Sequence, residues 1–420
     1  MSEMPRVLRP NRAQLELRPT DLESLLPEDH RARSVWDFVS GLDLSPWYEE
    51  IRAIEGEAGR PAIDPAILLS LWIYATLEGV GSARAVGRLC EQHDAYRWIC
   101  GGVSVSYRTL AAFRVSHEEK LDALLTESVV RLVDAGLVRL DRIAQDGMRV
   151  RASAGAASFR RRKRLRELER EVKKRVAGLR RELESDPAAM SRREQAARER
   201  VARDRQRRVQ KALEALHEES EKKPSEQESV RVSTTDPEAR VMKMADGGFR
   251  PAYNVQLATD VGSQVVVGVE VTDRGSDMHQ LTPMLEQLER RYEQLPNEAL
   301  VDGGFASLDA IEAAEAAGCR VYAPPKQPRK GDRNPYKPLP DDSENVARWR
   351  RRMGAASAKE KYKDRAATAE CVNAQSRNRG LWQFNVRGRL KVRCVSLLYA
   401  LAHNAMRSVA LEQAWQEVPS

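Results

Sequence analysis

The sequence predicts a mixed α/β protein with a helical N-terminal domain and a basic helical hairpin inserted into its α/β core. Three observations carry this. Residues 20 to 135 keep helical periodicity, with capping residues ahead of the apolar runs. Residues 160 to 223 hold 23 Lys or Arg against 13 Asp or Glu, a net of +10. Beyond the insert the period switches to strand-like alternation, and short apolar runs then alternate with helices.

The helical region opens at TDLESLLPEDH, where Thr20 precedes an acidic first turn as an N-cap should. In RPAIDPAILLSLWIYATLEGVG, Asp64 caps a helix with Pro65 at its first position. Apolar residues run all round that helix, which marks a central core helix. Next come a helix capped by Ser82, another around Ala95 to Ile99, a Gly-Gly turn, and a helix capped by Ser106. Short helices joined by a glycine turn suit a helix-turn-helix module, whose second helix enters the major groove. Tyr107, Arg108 and Arg114 are then the candidate DNA contacts. A plain helical bundle has the same pattern, and the sequence leaves both readings open.

In the insert, Leu165, Leu168, Val172, Val176, Leu179 and Leu183 recur at steps of three and four, a narrow apolar seam. After Asp186-Pro187 a second charged helix runs from about Ser191 to Glu221, giving an antiparallel hairpin. Charge runs are commonly no more than solvated faces. The excess of arginine tips the reading toward phosphate contact.

YNVQLATDVGSQVVVGVEVT reads as two strands around the turn Asp260-Val261-Gly262-Ser263. SDMHQLTPMLEQLERRYEQL follows as a helix, EALVDGG as a short buried strand, SLDAIEAAEAAG as a helix closed by Gly318, and CRVYAPP as a strand stopped by prolines. A polar loop spans roughly 325 to 345, a long helix runs from about Ser357 past Asn378, and an apolar helix covers KVRCVSLLYALAHNAMRSVALEQAW. With LVRLDRIAQD as the first strand, ending on Asp146, the order is β, β, β, α, β, α, β, α. That is the order of a ribonuclease H-like fold with the hairpin inserted after its first strand. The chain divides into a helical N-terminal domain (1–135), the first part of the core (136–159), the insert (160–235) and the rest of the core (236–420).

Lys plus Arg outnumber Asp plus Glu by 70 to 62, a formal charge of +8 with a pI near 9.2, which favours a polyanionic partner. Five scattered cysteines without a CxxC pair point to reduced thiols and no zinc site. The N-terminus lacks an apolar leader, and no stretch approaches the roughly 18 uncharged apolar residues of a membrane span. A soluble cytoplasmic protein is expected.

Asp146 and Asp302 both stand at strand ends in this reading, and each is followed by glycine, leaving room for a metal or phosphate to approach. A single such aspartate is more commonly a turn-former. A third acid would allow two Mg²⁺ ions roughly 3.5–4 Å apart. The candidate is Glu370, on the helix KEKYKDRAATAECVNAQSRNRG, where Arg377 lies two turns further along the same face. His279 and His403 fit structural roles better than catalytic ones.

Tyr362, Arg365, Glu370 and Arg377 together resemble the signature Tyr-x2-Arg-x3-Glu-x6-Lys of DDE transposases from bacterial insertion sequences. Here Glu370 comes one residue later than in that pattern and Arg377 replaces the lysine. LVDGGFAS resembles the family's second-aspartate motif and IAQDGMRVRASAG the first. GRPAIDPAILLSLWIYA and LAHNAMR extend the similarity from about residue 15 to 410. The resemblance implies a ribonuclease H-like catalytic core, DNA-binding N-terminal helices, and a homo-oligomer working on double-stranded DNA near the bacterial nucleoid. It also implies Mg²⁺ or Mn²⁺, two ions on Asp146, Asp302 and Glu370, which first release a 3′-OH and then join it to target DNA. Arg365 and Arg377 would hold phosphates and Tyr362 would stack on or hydrogen-bond to the strand near the cut. Arg149 and Arg151 would meet phosphates beside Asp146, both on one face if the strand continues. A metal-dependent nuclease of the same fold and a transposase-derived DNA-binding protein without catalysis are the alternatives.

Overall fold

The computed structural model describes residues 21–53, 61–185, 191–222, 228–327 and 334–416. Among the described residues, seven α-helices precede the first strand: α1 (Arg31–Ser40), α2 (Ser45–Tyr48), α3 (Pro65–Leu77), α4 (Ala83–Gln92), α5 (Asp94–Cys100), α6 (Tyr107–Ser116) and α7 (Glu118–Asp134). Their starts follow the caps in the sequence. The Asp64 carboxylate accepts from the Ala66 amide at 2.8 Å with Pro65 at the first helical position, and the Ser106 hydroxyl accepts from Thr109 at 3.2 Å. Gly101 ends α5 in the left-handed conformation, φ +56°, where a side chain would be strained. α3 is buried on every side. Thr20 lies outside the described residues, and the segment after it forms only a single 3₁₀ turn, Glu23–Leu25.

The strands are β1 (Arg142–Arg151), β2 (Phe159–Arg160), β3 (Val232–Ser233), β4 (Arg240–Lys243), β5 (Phe249–Asp260), β6 (Val266–Thr272), β7 (Glu298–Leu300) and β8 (Arg320–Tyr322). The main sheet runs β4-β5-β1-β7-β8, with β6 pairing β5. β5 is antiparallel to β1, β4 and β6, whereas β1, β7 and β8 are mutually parallel. Helices α10 (Leu281–Tyr292) and α11 (Leu308–Ala316) connect β6, β7 and β8 in the expected order. The long β5–β6 hairpin turns at Asp260, whose carboxylate accepts from both the amide and the hydroxyl of Ser263.

The first strand differs from its expected position. Residues 137–140 form no strand, and β1 runs on past Asp146 to Arg151. The reason is long-range pairing: β5 is twelve residues long and stays in register with β1 from Ile143↔Asp260 to Arg151↔Ala252. Asp146 and Gly147 therefore sit mid-strand, where a local reading sees a strand end.

Between β2 and β3 the chain makes the hairpin of α8 (Arg162–Ser185) and α9 (Arg192–Lys222). The β2–β3 pair closes its base. Leu165 packs with Ala212 and Leu216, and Leu168 and Val172 with Val209, which makes the helices antiparallel. The surroundings of Leu183 and the break at Asp186-Pro187 lie outside the described residues.

After β8 come α12 (Glu344–Gly354), α13 (Ala356–Tyr362), a π-helical segment (Ala366–Glu370), α14 (Cys371–Asn378) and α15 (Arg389–Gln416). The long helical stretch expected from about Ser357 past Asn378 is present, with one turn residue at Lys363 and a π-helical stretch that runs directly into α14. α15 packs against α1, α3, α6 and α7 and also against β6, so the last helix shares its apolar faces between the N-terminal helices and the sheet. Placing aspartates at Leu168 and Leu179, both buried in the hairpin seam, should cost more than about 3 kcal/mol locally. Limited proteolysis should then cut within 160–223 while the sheet and α15 stay resistant.

Candidate active site

The parallel pairing of β1 with β7 places two acids side by side. Its last pair is Ala144↔Leu300. Asp146 and Asp302 each stand two residues beyond it, and they lie close enough for the charge of Asp302 to act on the Asp146 carboxyl. Asp302 turns back on its own loop, its Oδ1 accepting from the Gly304 amide at 2.7 Å.

The helical path through the π segment and α14 closes over Asp146. Asn373 Nδ2 donates to Asp146 Oδ2 at 2.9 Å, and the Gly147 amide donates to Oδ1 at 2.9 Å. Arg365 lies 4.0 Å from Asp146 Oδ1 and donates to Glu370 Oε1 at 2.8 Å. One guanidinium therefore faces the first acid and holds the third. Its charge also lies over the Tyr362 ring, 5.8 Å from the centroid. Arg365 and Glu370 are five residues apart, a separation that an α-helix splays to different faces and that a π turn, with its i to i+5 repeat, brings together. The π-helical segment Ala366–Glu370 spans this interval. It brings Glu370 back within reach of Arg365.

Burial pushes the Asp146 carboxyl up to about 6; Arg365 and the Gly147 amide oppose the shift, and the charges of Asp302 and Asp277 add to it. Burial likewise raises the Tyr362 phenol, with Arg365 opposing and Asp302 and Asp146 adding. The four side chains thus share one electrostatic environment. Among the described residues no three His, Cys, Asp or Glu side chains are gathered closely enough to hold a metal ion. The chemistry of the donor set still fits a hard cation: Asp146 and Asp302 offer carboxylate oxygens, the charge of Asp302 acts on Asp146, and Glu370 is tethered to the guanidinium that faces Asp146.

Other expected residues are placed differently. Arg149 and Arg151 do share a face, but it is the face opposite Asp146, because β1 continues without a bulge. They cannot stand beside Asp146 as expected. Arg149 donates twice to the Gly275 carbonyl, at 3.1 and 2.8 Å, and Arg151 lies exposed where β1 ends. Gly147 likewise opens no space for a metal: a Cβ there would meet the Asp277 carboxylate at 2.0 Å. Arg377 stacks over Trp382 at 5.9 Å. Tyr107 is exposed, flanked by Arg84 and Arg108 at 5.3 and 5.8 Å from its ring. Arg114 turns inward over Trp72 at 4.6 Å and donates to the Gly81 carbonyl. His403 is buried against the Gln264 carbonyl, and burial drives its pKa down to about 4. Asn373 and Asp277 escaped the sequence reading. Asn373 sits one turn after Glu370 on the same helical path, a spacing that would have flagged it.

Two family models match the sequence: a transposase domain (DUF772) over residues 20–116 and a transposase DDE domain over 227–405. The chain belongs to the DDE transposases of insertion-sequence type. No curated protein and no solved structure matches it. The first match ends with α6, and the second contains Asp302 and Glu370. Asp146 and the hairpin of the transposase fall between the two. Among the described residues no helix is long and apolar enough to cross a membrane.

A carboxyl raised from 3.8 to about 6 binds its proton more tightly in the folded state, so the metal-free transposase should lose stability as pH rises from about 4 through 6. Asp146→Asn removes that penalty. It should stabilise the metal-free protein by on the order of 2 kcal/mol at pH 7.5 and by little at pH 4. Thermal melts in chelator at the two pH values test this.

Proposed function

We propose that Asp146, Asp302 and Glu370 are the catalytic acids of a ribonuclease H-like core, and that the transposase cuts and joins DNA at the ends of an insertion sequence. The single observation that carries this is the β1–β7 register. It brings two acids, 156 residues apart in sequence, to one face under the signature segment. The core is formed by 136–159 and 236–420, with the helical domain (1–135) and the insert (160–235) attached. Mg²⁺ or Mn²⁺ held by the three acids would supply charge neutralisation at the attacking and leaving oxygens of an in-line phosphoryl transfer.

The chain's own groups do the positioning. Asn373 and the Gly147 amide fix the Asp146 carboxylate by one bond to each oxygen. Arg365 orients Glu370 and leaves cationic charge where a scissile phosphate would lie. Tyr362, half-buried beside Arg365, is placed to stack on or hydrogen-bond to the strand near the cut. Arg377 lies two turns beyond Glu370 and would hold the phosphates that follow.

DNA would run from this site over two further surfaces. On α6, exposed Tyr107 and Arg108 with neighbouring Arg84 form a cationic patch at the helix start, the end a recognition helix presents to base edges. Arg114, packed inward, would support that helix. At the base of the hairpin, Arg161, Arg162, Lys163, Arg166 and Arg170 line a groove of about 790 Å³ with Glu167 and Glu228. None of these five basic side chains makes an ion pair among the described residues. Arg164, by contrast, is bonded to Glu167 and Glu171 at 3.0 Å each. A transposase acting on two element ends would work as a homo-oligomer, each copy presenting these surfaces to one end.

Asp146→Asn, Asp302→Asn and Glu370→Gln should each lower cleavage and strand transfer at least about a thousandfold, roughly 4 kcal/mol of transition-state stabilisation, with DNA affinity nearly unchanged. A gel assay that resolves nicked from joined product measures both steps. Cutting without joining would identify a nuclease instead. Changing Arg161, Arg162, Lys163 and Arg166 to Gln should flatten the log affinity against log salt plot by about 0.9 per lost phosphate contact, equally on end-sequence and random duplexes. A wild-type slope would remove the hairpin from the DNA path.

A further inference from the structure

We propose that Asp277 is a positioning residue for Asp146, acting through strand β1 from the opposite face of the sheet. This rests on Asp146 being an acid of the active site. Asp277 lies in the segment between β6 and α10, and its Oδ1 accepts from Asn254 Nδ2 and from Gln256 Nε2, each at 2.7 Å. Its Oδ2 lies 3.5 Å from Arg149. Gln256 and Asn254 of β5 are the cross-strand partners of Gly147 and Arg149 of β1, so the carboxylate is centred directly behind the residue after Asp146. Gln145, on the other side of Gly147, extends the network: its Nε2 donates to Gln256 Oε1 and to the Gln280 carbonyl, each at 3.0 Å. Arg149 closes it by gripping the Gly275 carbonyl. The segment from Gly275 to Gln280 is thereby bonded to both sides of Gly147.

Such a network is costly in the middle of a sheet. Gln145, Asn254 and Gln256 are fully or almost fully buried, and the Gln145 and Asn254 carbonyl oxygens have no partner among the described residues. Apolar side chains at these positions would bury the same surface without that penalty. The network does something an apolar patch would not. It fixes β1 at Asp146, where the strand has just lost its parallel neighbour β7 and is held on one edge only, by β5. It also bears on the residue after the acid: a Cβ at 147 would meet Asp277, Gln256 and Asn254 at 2.0, 2.5 and 2.8 Å and would have to push all three side chains aside. Asp277 further lends its negative charge to the Asp146 site without being a ligand, which favours a cation there. Outer contacts of this kind change metal affinity or activity by about 10–100-fold when removed.

The full-length transposase tests the assignment through two changes, Asp277→Asn and Gly147→Ala, with Asp146→Asn as reference. Four quantities are measured: Mn²⁺ affinity by calorimetry, single-turnover cleavage at saturating DNA, DNA affinity and melting temperature. Asp277→Asn should weaken Mn²⁺ binding and slow cleavage about tenfold or more, with DNA affinity within about twofold of wild type. Gly147→Ala should show the same pattern more strongly. Where Asp277→Asn melts low because Arg149 loses its carboxylate partner, adding Arg149→Gln should restore melting but not Mn²⁺ affinity. Unchanged Mn²⁺ affinity and cleavage in Asp277→Asn would overturn the proposal. So would a recovery of Mn²⁺ affinity and cleavage together with melting in the double variant, which would make Asp277 structural only. If Asp146→Asn cleaves normally, the active-site assignment itself fails; if it is inactive while Asp277→Asn is wild type, only the role of Asp277 falls.

Discussion

The arrangement depends on where one strand pairing stops. β1 and β7 run parallel for three residue pairs and part after Ala144↔Leu300. Had the pairing continued through 146 and 302, the ladder would have held both residues within a closed sheet, and their carboxylates would have been pressed under whatever packs on it. Had it stopped earlier, nothing would fix their separation. Parting at this point leaves both acids in register yet open on the side that the signature segment covers. The β1–β5 pairing is what makes that opening affordable, because it carries β1 on to Arg151 and keeps the backbone at Asp146 extended.

This strand carries polar groups on both faces at one level, which sheets usually avoid. On one face Asp146 meets Asn373 and Arg365. On the other, Gly147 lies against Asp277, Gln256 and Asn254. Apolar residues bracket this level: Ile143 and Ala144 before it, Met148 and Val150 after it, all buried. Those two pairs belong to different hydrophobic clusters, the first under α10 and α11 and the second under the N-terminal helices and α15. The polar level is thus the seam between two cores. A seam is the place where charged groups can be kept without opening either core, and helices anchored in both can meet over it.

Legibility in the sequence followed the range of the interactions. Asp64, Ser82 and Ser106 cap the helices they were expected to cap, since an N-cap bond reaches only two or three residues. The hairpin seam was readable because period alone determines it. The end of β1 was not, because Asp-Gly is a local stop signal that twelve residues of β5 override. The faces of Arg149 and Arg151 relative to Asp146 followed from that error: alternation put the two arginines together correctly, and the continuing strand put the acid on the other side. The π turn left a trace only as a signature one residue too long. Asp277 left none, because the meaning of its partners Asn254 and Gln256 appears only once β1 is paired to their strand.

Arg365 resolves the remaining charge problem. Asp146, Asp302 and Asp277 concentrate negative charge around a half-buried strand; burial does most to raise the Asp146 carboxyl, Arg365 opposes it, and the charges of Asp302 and Asp277 add to it. A lysine could neutralise one acid as a point charge. A guanidinium can face two at once, and Arg365 does so, lying 4.0 Å from Asp146 and bonded to Glu370. It reaches both because the π segment turns Glu370 back toward it. The geometry of the π turn and the charge of the arginine therefore serve one end: they hold Glu370, exposed at the outer edge, beside the guanidinium that faces Asp146.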